Sequence, residues 1–201
     1  MVVKNESFEQ CIDALAERGW HVHPGFLADE AVAALREVCL ARHRSGAFHA
    51  AGVGSGQAQV VRELRGDAIA WLEVDDPSPV VRAWLDAMES FRRAVNAGLY
   101  LGLFELEAHF ALYSPGAFYK RHLDRFRDDE RRTLTVILYL NEDWRPEHGG
   151  ALRFYTDAHA EGIDIEPQGG TLVTFLADRF WHEVLPARRP RMAVTGWFKR
   201  R

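Results

Sequence analysis

The sequence predicts an α+β fold, in which a double-stranded β-helix (jelly roll) carries N-terminal helices packed on one of its sheets. Helical spacing of apolar residues is confined to the first half of the 201-residue chain. After residue 100, short β-rich runs follow one another, separated by glycine pairs and prolines, and this pattern indicates a sandwich or barrel. Because no linker or internal repeat interrupts the chain, we expect one domain, 1–201, with a helical part at about 1–100 and a jelly-roll core at about 101–201.

Three helices are predicted before residue 100. Apolar side chains recur at helical spacing in residues 7–18, 28–43 and 79–99, and Gly19 provides a stop for the first helix. The segment 45–57 is rich in glycine, but it lacks the end of a dinucleotide-binding motif and no buried strand precedes it. We therefore expect a mobile loop there, of the kind that often covers a binding site.

Seven strands are predicted in the second half of the chain. They are residues 107–113, 133–141, 151–155, 163–166, 171–176, 182–185 and 191–199. In the second strand, alternate residues separate into a face of leucine and valine and a mixed face that includes Thr135 and Tyr139. In the last strand the same alternation places Arg191, Thr195 and Trp197 on one face. We expect the leucine and valine face to pack on the helices, so that the mixed face lines the barrel interior.

Composition and charge exclude several classes of protein. Apolar residues make up 47% and charged residues 27%, which is typical of a globular domain and not of a disordered tail. The net charge of −4 argues against a nucleic-acid surface, which needs clustered Lys and Arg. The N-terminus lacks the apolar core of a signal peptide and no stretch is long enough to span a membrane, so we expect a cytoplasmic protein. Cys11 and Cys39 fall in helical patterns and predict reduced, buried thiols.

One set of residues has the spacing of a metal centre. Among nine histidines there is one His-x-Asp sequence, His122-Leu123-Asp124, and residues two apart on a strand share a face. His182 opens an apolar strand 58 residues after Asp124, and Arg191 follows nine residues later. Two histidines and one carboxylate leave open positions on the ion, which is the ligand set of non-haem Fe(II) oxygenases.

Three other histidines have a simpler interpretation. His21 and His23 form a His-x-His pair before a Pro-Gly turn, but no further ligand is apparent, so we interpret them as structural. His109 lies within an apolar strand and is interpreted as a hydrogen-bonded core histidine rather than a ligand.

Arg191 predicts an anion inside the barrel. An unpaired charge is costly to bury, so an inward-facing arginine needs a negative partner. A carboxylate-bearing cosubstrate held by two hydrogen bonds would satisfy it, with help from the hydroxyl of Tyr139. The alternative is an ion pair between Arg191 and an internal Asp or Glu.

These residues resemble the Fe(II)/2-oxoglutarate-dependent dioxygenases. Further stretches resemble one branch, the prolyl hydroxylases related to the hypoxia-inducible-factor enzymes, and the chain is most similar to bacterial members of that branch. The stretches are 65–71 (RGDAIAW), 138–144 (LYLNEDW), 149–153 (GGALR) and 182–186 (HEVLP). The likeness extends from about residue 19 to the C-terminus.

The resemblance implies a metal and a cosubstrate. His122, Asp124 and His182 would hold Fe(II), and Arg191 and Tyr139 would bind the distal carboxylate of 2-oxoglutarate. The implied reaction consumes O2 and 2-oxoglutarate, releases succinate and carbon dioxide, and hydroxylates C4 of a proline. No further catalytic residue is implied, and ascorbate is a candidate stimulant.

The resemblance also implies roles around the pocket. Tyr113 would reach toward the metal-bound end of 2-oxoglutarate, and Thr195 and Trp197 would line the pocket. Asp67 and Arg132 match a charged pair that orders the loop near the substrate.

The expected partner is a cytosolic protein that carries a target proline. We expect this chain to bind neither nucleic acid nor a membrane, and to be a monomer. Bacterial members of the branch act on a prolyl residue of a translation elongation factor, and the elongation factor is therefore a candidate substrate. The sequence departs from the animal enzymes in segment 45–57 and lacks their helical extension after Arg191. Two alternatives therefore stay open: the same chemistry on another side chain or a small molecule, and a sensor module that binds metal and 2-oxoglutarate without turnover.

Overall fold

The computed structural model describes residues 5–52, 63–125, 130–157 and 159–201, with the side chains of residues 5–7 outside the description. The predicted loop 45–57 therefore lies only partly within the described residues, since 53–57 are outside them.

The three helices are α1 (Asn5–Arg18), α2 (Asp29–Arg44) and α3 (Pro79–Leu99), each with ends within about two residues of the prediction. Helix α3 begins at a proline, which costs nothing in the first turn because that N–H has no intrahelical partner. It buries one stripe of side chains, Val81, Trp84, Met88, Phe91 and Val95. None of the helices in the described parts of the chain is long and apolar enough to cross a membrane.

Eleven strands form two antiparallel sheets in the described residues. The larger sheet, in spatial order, contains β1 (Trp20–His23), β9 (Leu172–Leu176), β6 (Arg132–Tyr139), β11 (Arg191–Arg200), β4 (Leu103–Tyr113), β3 (Ala68–Trp71) and β2 (His49–Ala50). The smaller sheet contains β5 (Tyr119–His122), β10 (His182–Val184), β7 (Leu152–Thr156) and β8 (His159–Ile165). This arrangement confirms the predicted α+β jelly roll.

The predicted alternation separates two apolar layers. Leu138 and its neighbours on the same face of β6 pack with Met192 and Val194 against the helices. Ile137 and Tyr139 lie on the opposite face, in the core between the two sheets. Burying one face of the larger sheet under helices leaves its other face to form the cavity floor.

The structure also corrects the strand prediction. Four strands, β1, β2, β3 and β5, are not among the seven predicted. Each has at most four residues and forms by pairing with a segment distant in sequence, so it leaves little alternation for a prediction. The expectation that His122 and Asp124 share one strand is wrong: β5 ends at His122, and Asp124 lies in the bend that follows.

Candidate active site

His122, Asp124 and His182 converge at one end of the space between the sheets. His122 ends β5, His182 begins β10, and these residues face each other directly in the strand register. Their Nε2 atoms lie 3.6 Å and 3.7 Å from the two carboxylate oxygens of Asp124. One ligand atom from each residue falls within 4.8 Å of the others. The strand pairing thus brings together His122 and His182, which are 60 positions apart in the sequence.

Backbone carbonyls orient both imidazoles toward a common point. His122 Nδ1 lies 2.7 Å from the carbonyl oxygen of Lys120, and His182 Nδ1 lies 3.1 Å from that of Phe180. A carbonyl only accepts hydrogen bonds, so each Nδ1 carries the proton and each Nε2 presents a lone pair. Such contacts fix the tautomer and ring orientation of metal-binding histidines.

The third group, Asp124, is buried and held by Thr135 of β6, whose hydroxyl donates to Asp124 Oδ2 at 2.7 Å. Burial alone raises the pKa of this carboxyl, but the adjacent His182 and His122 outweigh it and hold the pKa below its usual range. Burial and His122 lower the pKa of His182 to about 4. At neutral pH the set is therefore a carboxylate with a neutral His182, which are the protonation states that bind a metal.

The donor set fits a divalent ion such as Fe(II). Histidine nitrogen and carboxylate oxygen bind such ions at about 2.0–2.2 Å, so neighbouring ligand atoms around one ion are about 3 Å apart. The distances from His122 and His182 to Asp124 exceed this by well under 1 Å. Three ligands leave positions open for other molecules.

Access to this centre is from the side of His122. The His122 side chain is 17% exposed, whereas that of His182 is 4% exposed. Tyr119 stacks on the His122 ring with centroids 3.5 Å apart, and the Arg65 guanidinium lies 4.3 Å from the Tyr119 ring centroid. These aromatic and cationic groups frame the open side of the centre.

Arg191 marks another part of the same cavity lining. It is 2% exposed, and no carboxylate in the described parts of the chain forms a salt bridge with it, so these residues do not supply the internal ion pair considered above. Its guanidinium lies 5.0 Å from the ring centroids of both Tyr113 and Tyr139. The Tyr139 hydroxyl is buried without a hydrogen-bond partner among the described residues, and burial raises its pKa to about 12, so it is a donor at neutral pH.

Gly150 anchors Arg191. Its carbonyl accepts a hydrogen bond from Arg191 Nε at 2.8 Å, which leaves the two terminal nitrogens of the guanidinium for another partner. Gly150 has a φ of +71°, and a Cβ here would come within 2.9 Å of Ala187 Cβ and 3.3 Å of Arg191 Cδ. A side chain at this position would therefore clash with Ala187 and crowd the arginine.

Thr195, Trp197 and His109 complete the polar lining of the cavity. His109 is buried between Trp71 and Trp197, with ring centroids 5.0 and 5.3 Å away. Its Nδ1 and the Nε1 of Trp197 have no hydrogen-bond partner within the described residues. His109 is therefore a buried histidine, as predicted, but the predicted hydrogen bond of its ring is not formed at Nδ1.

Asp67 and Arg132 form ion pairs with other residues. Asp67 is buried and accepts hydrogen bonds of 2.7 and 2.6 Å from Nε and Nη2 of Arg65. Arg132 donates to Glu107 at 2.8 Å, and its guanidinium lies 3.5 Å from the Trp197 ring centroid. Asp67 and its partner Arg65 both line the cavity.

A second group of potential ligands lies elsewhere. The interpretation that His21 and His23 have no partner is wrong, because Cys11 of α1 lies beside them, with ligand atoms within 4.8 Å of one another. Both Cys11 and Cys39 are buried and free, which confirms the prediction of buried thiols.

Sequence reasoning missed several residues of the main site, namely Arg65, Tyr119, Thr135 as the partner of Asp124, and Gly150. In the sequence, the Gly149-Gly150 pair indicates a break between strands, but a glycine pair also signals a close backbone approach.

Comparison with known proteins agrees with this geometry. Residues 108–199 match the model of the 2OG-Fe(II) oxygenase superfamily. A prolyl-4-hydroxylase of Pseudomonas putida has a crystal structure with a TM-score of 0.89 and 44% identity, covering 96% of this chain and 99% of that one.

Two human proteins are similar in sequence. Prolyl hydroxylase EGLN3 is 30% identical over 200 residues, covering 96% of this chain and 83% of EGLN3. Egl nine homolog 1 is 31% identical over 198 residues, and this chain spans about half its length (46%). The chain therefore belongs to the 2OG-Fe(II) oxygenase superfamily and is a homologue of the EGLN prolyl hydroxylases.

Proposed function

We propose that this protein is an Fe(II)- and 2-oxoglutarate-dependent dioxygenase that hydroxylates a prolyl residue of a protein substrate. One observation carries the proposal: an open His-Asp-His set shares a cavity with a buried arginine that has no acidic partner in the described residues. The names of the relatives favour proline as the target.

His122, Asp124 and His182 would hold the iron. When bound, Fe(II) would supply the activation of O2 that couples oxidative decarboxylation of 2-oxoglutarate to hydroxylation of a C–H bond. The carbonyls of Lys120 and Phe180 keep both imidazoles in the metal-binding tautomer.

Arg191 would hold the distal carboxylate of 2-oxoglutarate through the two guanidinium nitrogens that Gly150 leaves free. The Tyr139 hydroxyl would donate to the same carboxylate, which satisfies its unmet hydrogen bond. Tyr113 pairs with Arg191 in the strand register, so it would contact the cosubstrate between its two ends. Thr195 and Trp197 would line this channel.

The prolyl substrate would approach from the more exposed side, over His122. Tyr119 and the Arg65–Asp67 ion pair line the cavity there and would position the peptide. Burial of the remaining ligands excludes water from the reacting centre, which suppresses side reactions. Arg132 packs on Trp197, which lines the cavity, and would position that ring while its guanidinium pairs with Glu107.

The test begins with anaerobic addition of Fe(II) and 2-oxoglutarate to the purified protein. A weak visible metal-to-ligand charge-transfer band is expected, and His182→Ala should lack it. Oxygen and a lysate are then added, and peptides are searched by mass spectrometry for prolyl residues that have gained one oxygen atom. The elongation factor suggested by the resemblance is the first protein to search.

Each outcome separates the alternatives. A band with a hydroxylated prolyl peptide supports the full proposal. A band with oxidation of another residue or a small molecule keeps the chemistry and rejects the prolyl target. A band without succinate formation favours a sensor, and identical spectra for the protein and His182→Ala reject the oxygenase.

A further inference from the structure

We propose that Cys11, His21 and His23 form a second metal site, distinct from the His122 centre, that binds a zinc-like divalent ion. One thiolate and two imidazoles are the donors that Zn²⁺ prefers, and three protein ligands leave a fourth position for water. The site would link α1 to the edge strand β1.

The local geometry brings these side chains together through one tight turn. Helix α1 ends at Arg18, and Gly19, with a φ of +85°, donates to the carbonyls of Ala14 and Leu15 as the chain reverses into β1. Cys11 lies fully buried on the inner face of α1, over the strand. One ligand atom from each of the three residues lies within 4.8 Å of the others, so side-chain rotation would bring the three donors onto one ion and leave its fourth position for water.

The site is on the opposite side of the larger sheet from the His122 centre. In β1, Trp20 packs against Phe154 in the core between the sheets, with ring centroids 5.5 Å apart. His21 and His23 alternate with Trp20 and Val22, so they face the helix layer. An ion bound here cannot share ligands with the main centre.

Two polar atoms at this place have no partner. The Nε2 atom of His21 and the hydroxyl of Thr174 are both buried, and neither has a hydrogen-bond partner among the described residues. Thr174 lies opposite His21 in the register of β1 and β9, on the same face. Buried polar atoms without partners are rare, and a bound ion with its water would satisfy them.

Arg18 accommodates the change that binding requires. Its Nη2 lies 3.3 Å from His21 Nδ1, a long contact between exposed atoms. Coordination through Nε2 moves the imidazole proton to Nδ1, so this contact must open. Arg18 stays anchored by its hydrogen bond to the Trp20 carbonyl and by its position over the Trp20 ring. The Cys11 proton leaves to solvent as the thiolate binds the ion.

The experiment uses Co²⁺ as a spectroscopic substitute for Zn²⁺. The chelator-treated full chain is titrated with Co²⁺, and the near-ultraviolet thiolate-to-cobalt charge-transfer band is recorded. The His122 centre has only nitrogen and oxygen ligands, so this band reports the Cys11 site alone. Because the His122 centre also takes one ion, we expect the band to saturate by two equivalents of Co²⁺ and to be lost when Zn²⁺ is added.

Variants make the assignment. Cys39→Ser is the matched control, because Cys39 is also fully buried and free but belongs to no ligand cluster in the described residues, and it should retain the band. Cys11→Ser should lose the band, and His23→Gln, at a partly exposed position, should weaken Co²⁺ binding at least tenfold while the protein remains folded. The proposal is overturned if the unmodified protein shows no band, if Cys11→Ser keeps it, or if His23→Gln binds Co²⁺ unchanged.

Discussion

Replacing Arg191 with methionine isolates the contribution of one buried charge to cosubstrate binding. Methionine keeps much of the volume but removes the guanidinium, whose two terminal nitrogens face no described carboxylate. Losing two hydrogen bonds to a charged group, or one partner of a buried ion pair, costs about 3–5 kcal/mol. The dissociation constant for 2-oxoglutarate should therefore rise roughly 150- to 4,000-fold.

The assay compares two ligands by anaerobic calorimetry in the presence of Mn²⁺. One is 2-oxoglutarate and the other is 2-oxopentanoate, which lacks the distal carboxylate. The unmodified protein should strongly prefer 2-oxoglutarate, whereas Arg191→Met should bind the two ligands within about tenfold of each other, since the preference arises from that one charge pair.

Two controls guard this reasoning. Arg188→Met removes an exposed arginine three residues away and should leave both affinities unchanged. Arg191→Lys keeps the charge without the planar fork and should give an intermediate preference. If a folded Arg191→Met protein discriminates between the two ligands as well as the unmodified protein does, the assignment of Arg191 to the distal carboxylate is refuted.

Three further predictions concern other positions. Thr135→Val removes the hydrogen bond to Asp124 and should weaken metal binding by about 10- to 100-fold, measured by metal titration, with turnover restored at saturating metal; unchanged affinity would contradict it. Burial lowers the pKa of His109 to about 3. Between pH 6.5 and pH 3 the unfolded chain therefore binds a proton at this histidine that the folded chain does not bind. As the pH falls through this range, the free energy of unfolding should decrease by up to about 1.4 kcal/mol per pH unit. Urea denaturation at several pH values should show a shallower fall for His109→Leu, and equal slopes would disprove this linkage. Leu138→Ala should cost about 2–5 kcal/mol of unfolding free energy by opening a cavity under the helices, without changing the 2-oxoglutarate affinity.

Much of the site was predictable because its signals are local. The alternation in residues 133–140 assigns Thr135 and Tyr139 to the cavity face, since the side-chain period of a strand is independent of its neighbours. The residue types of the His-x-Asp sequence and its spacing to His182 and Arg191 also mark candidate ligands, although the strand face expected to carry both His122 and Asp124 is not formed.

Other features depend on which segments meet. Strand β5 exists only through pairing with β10, and Asp124 joins the site from the bend after it, where Thr135 of β6 holds it. The ion partner of Asp67 is Arg65, a choice that the sequence leaves open among many arginines. Long-range contacts of this kind carry no periodic signal.

The sequence by itself determined the fold class, the three helices, the two faces of β6 and β11, and the residues that suit iron and a carboxylate ligand. Only the tertiary structure decided that no carboxylate among the described residues pairs with Arg191 and that the Gly150 carbonyl anchors it. It alone also decided that Cys11 lies beside His21 and His23. The physical reason is the same in each case: side-chain periodicity is a property of one segment, whereas a buried charge or a ligand cluster is defined by the distances between segments that the folded core brings together.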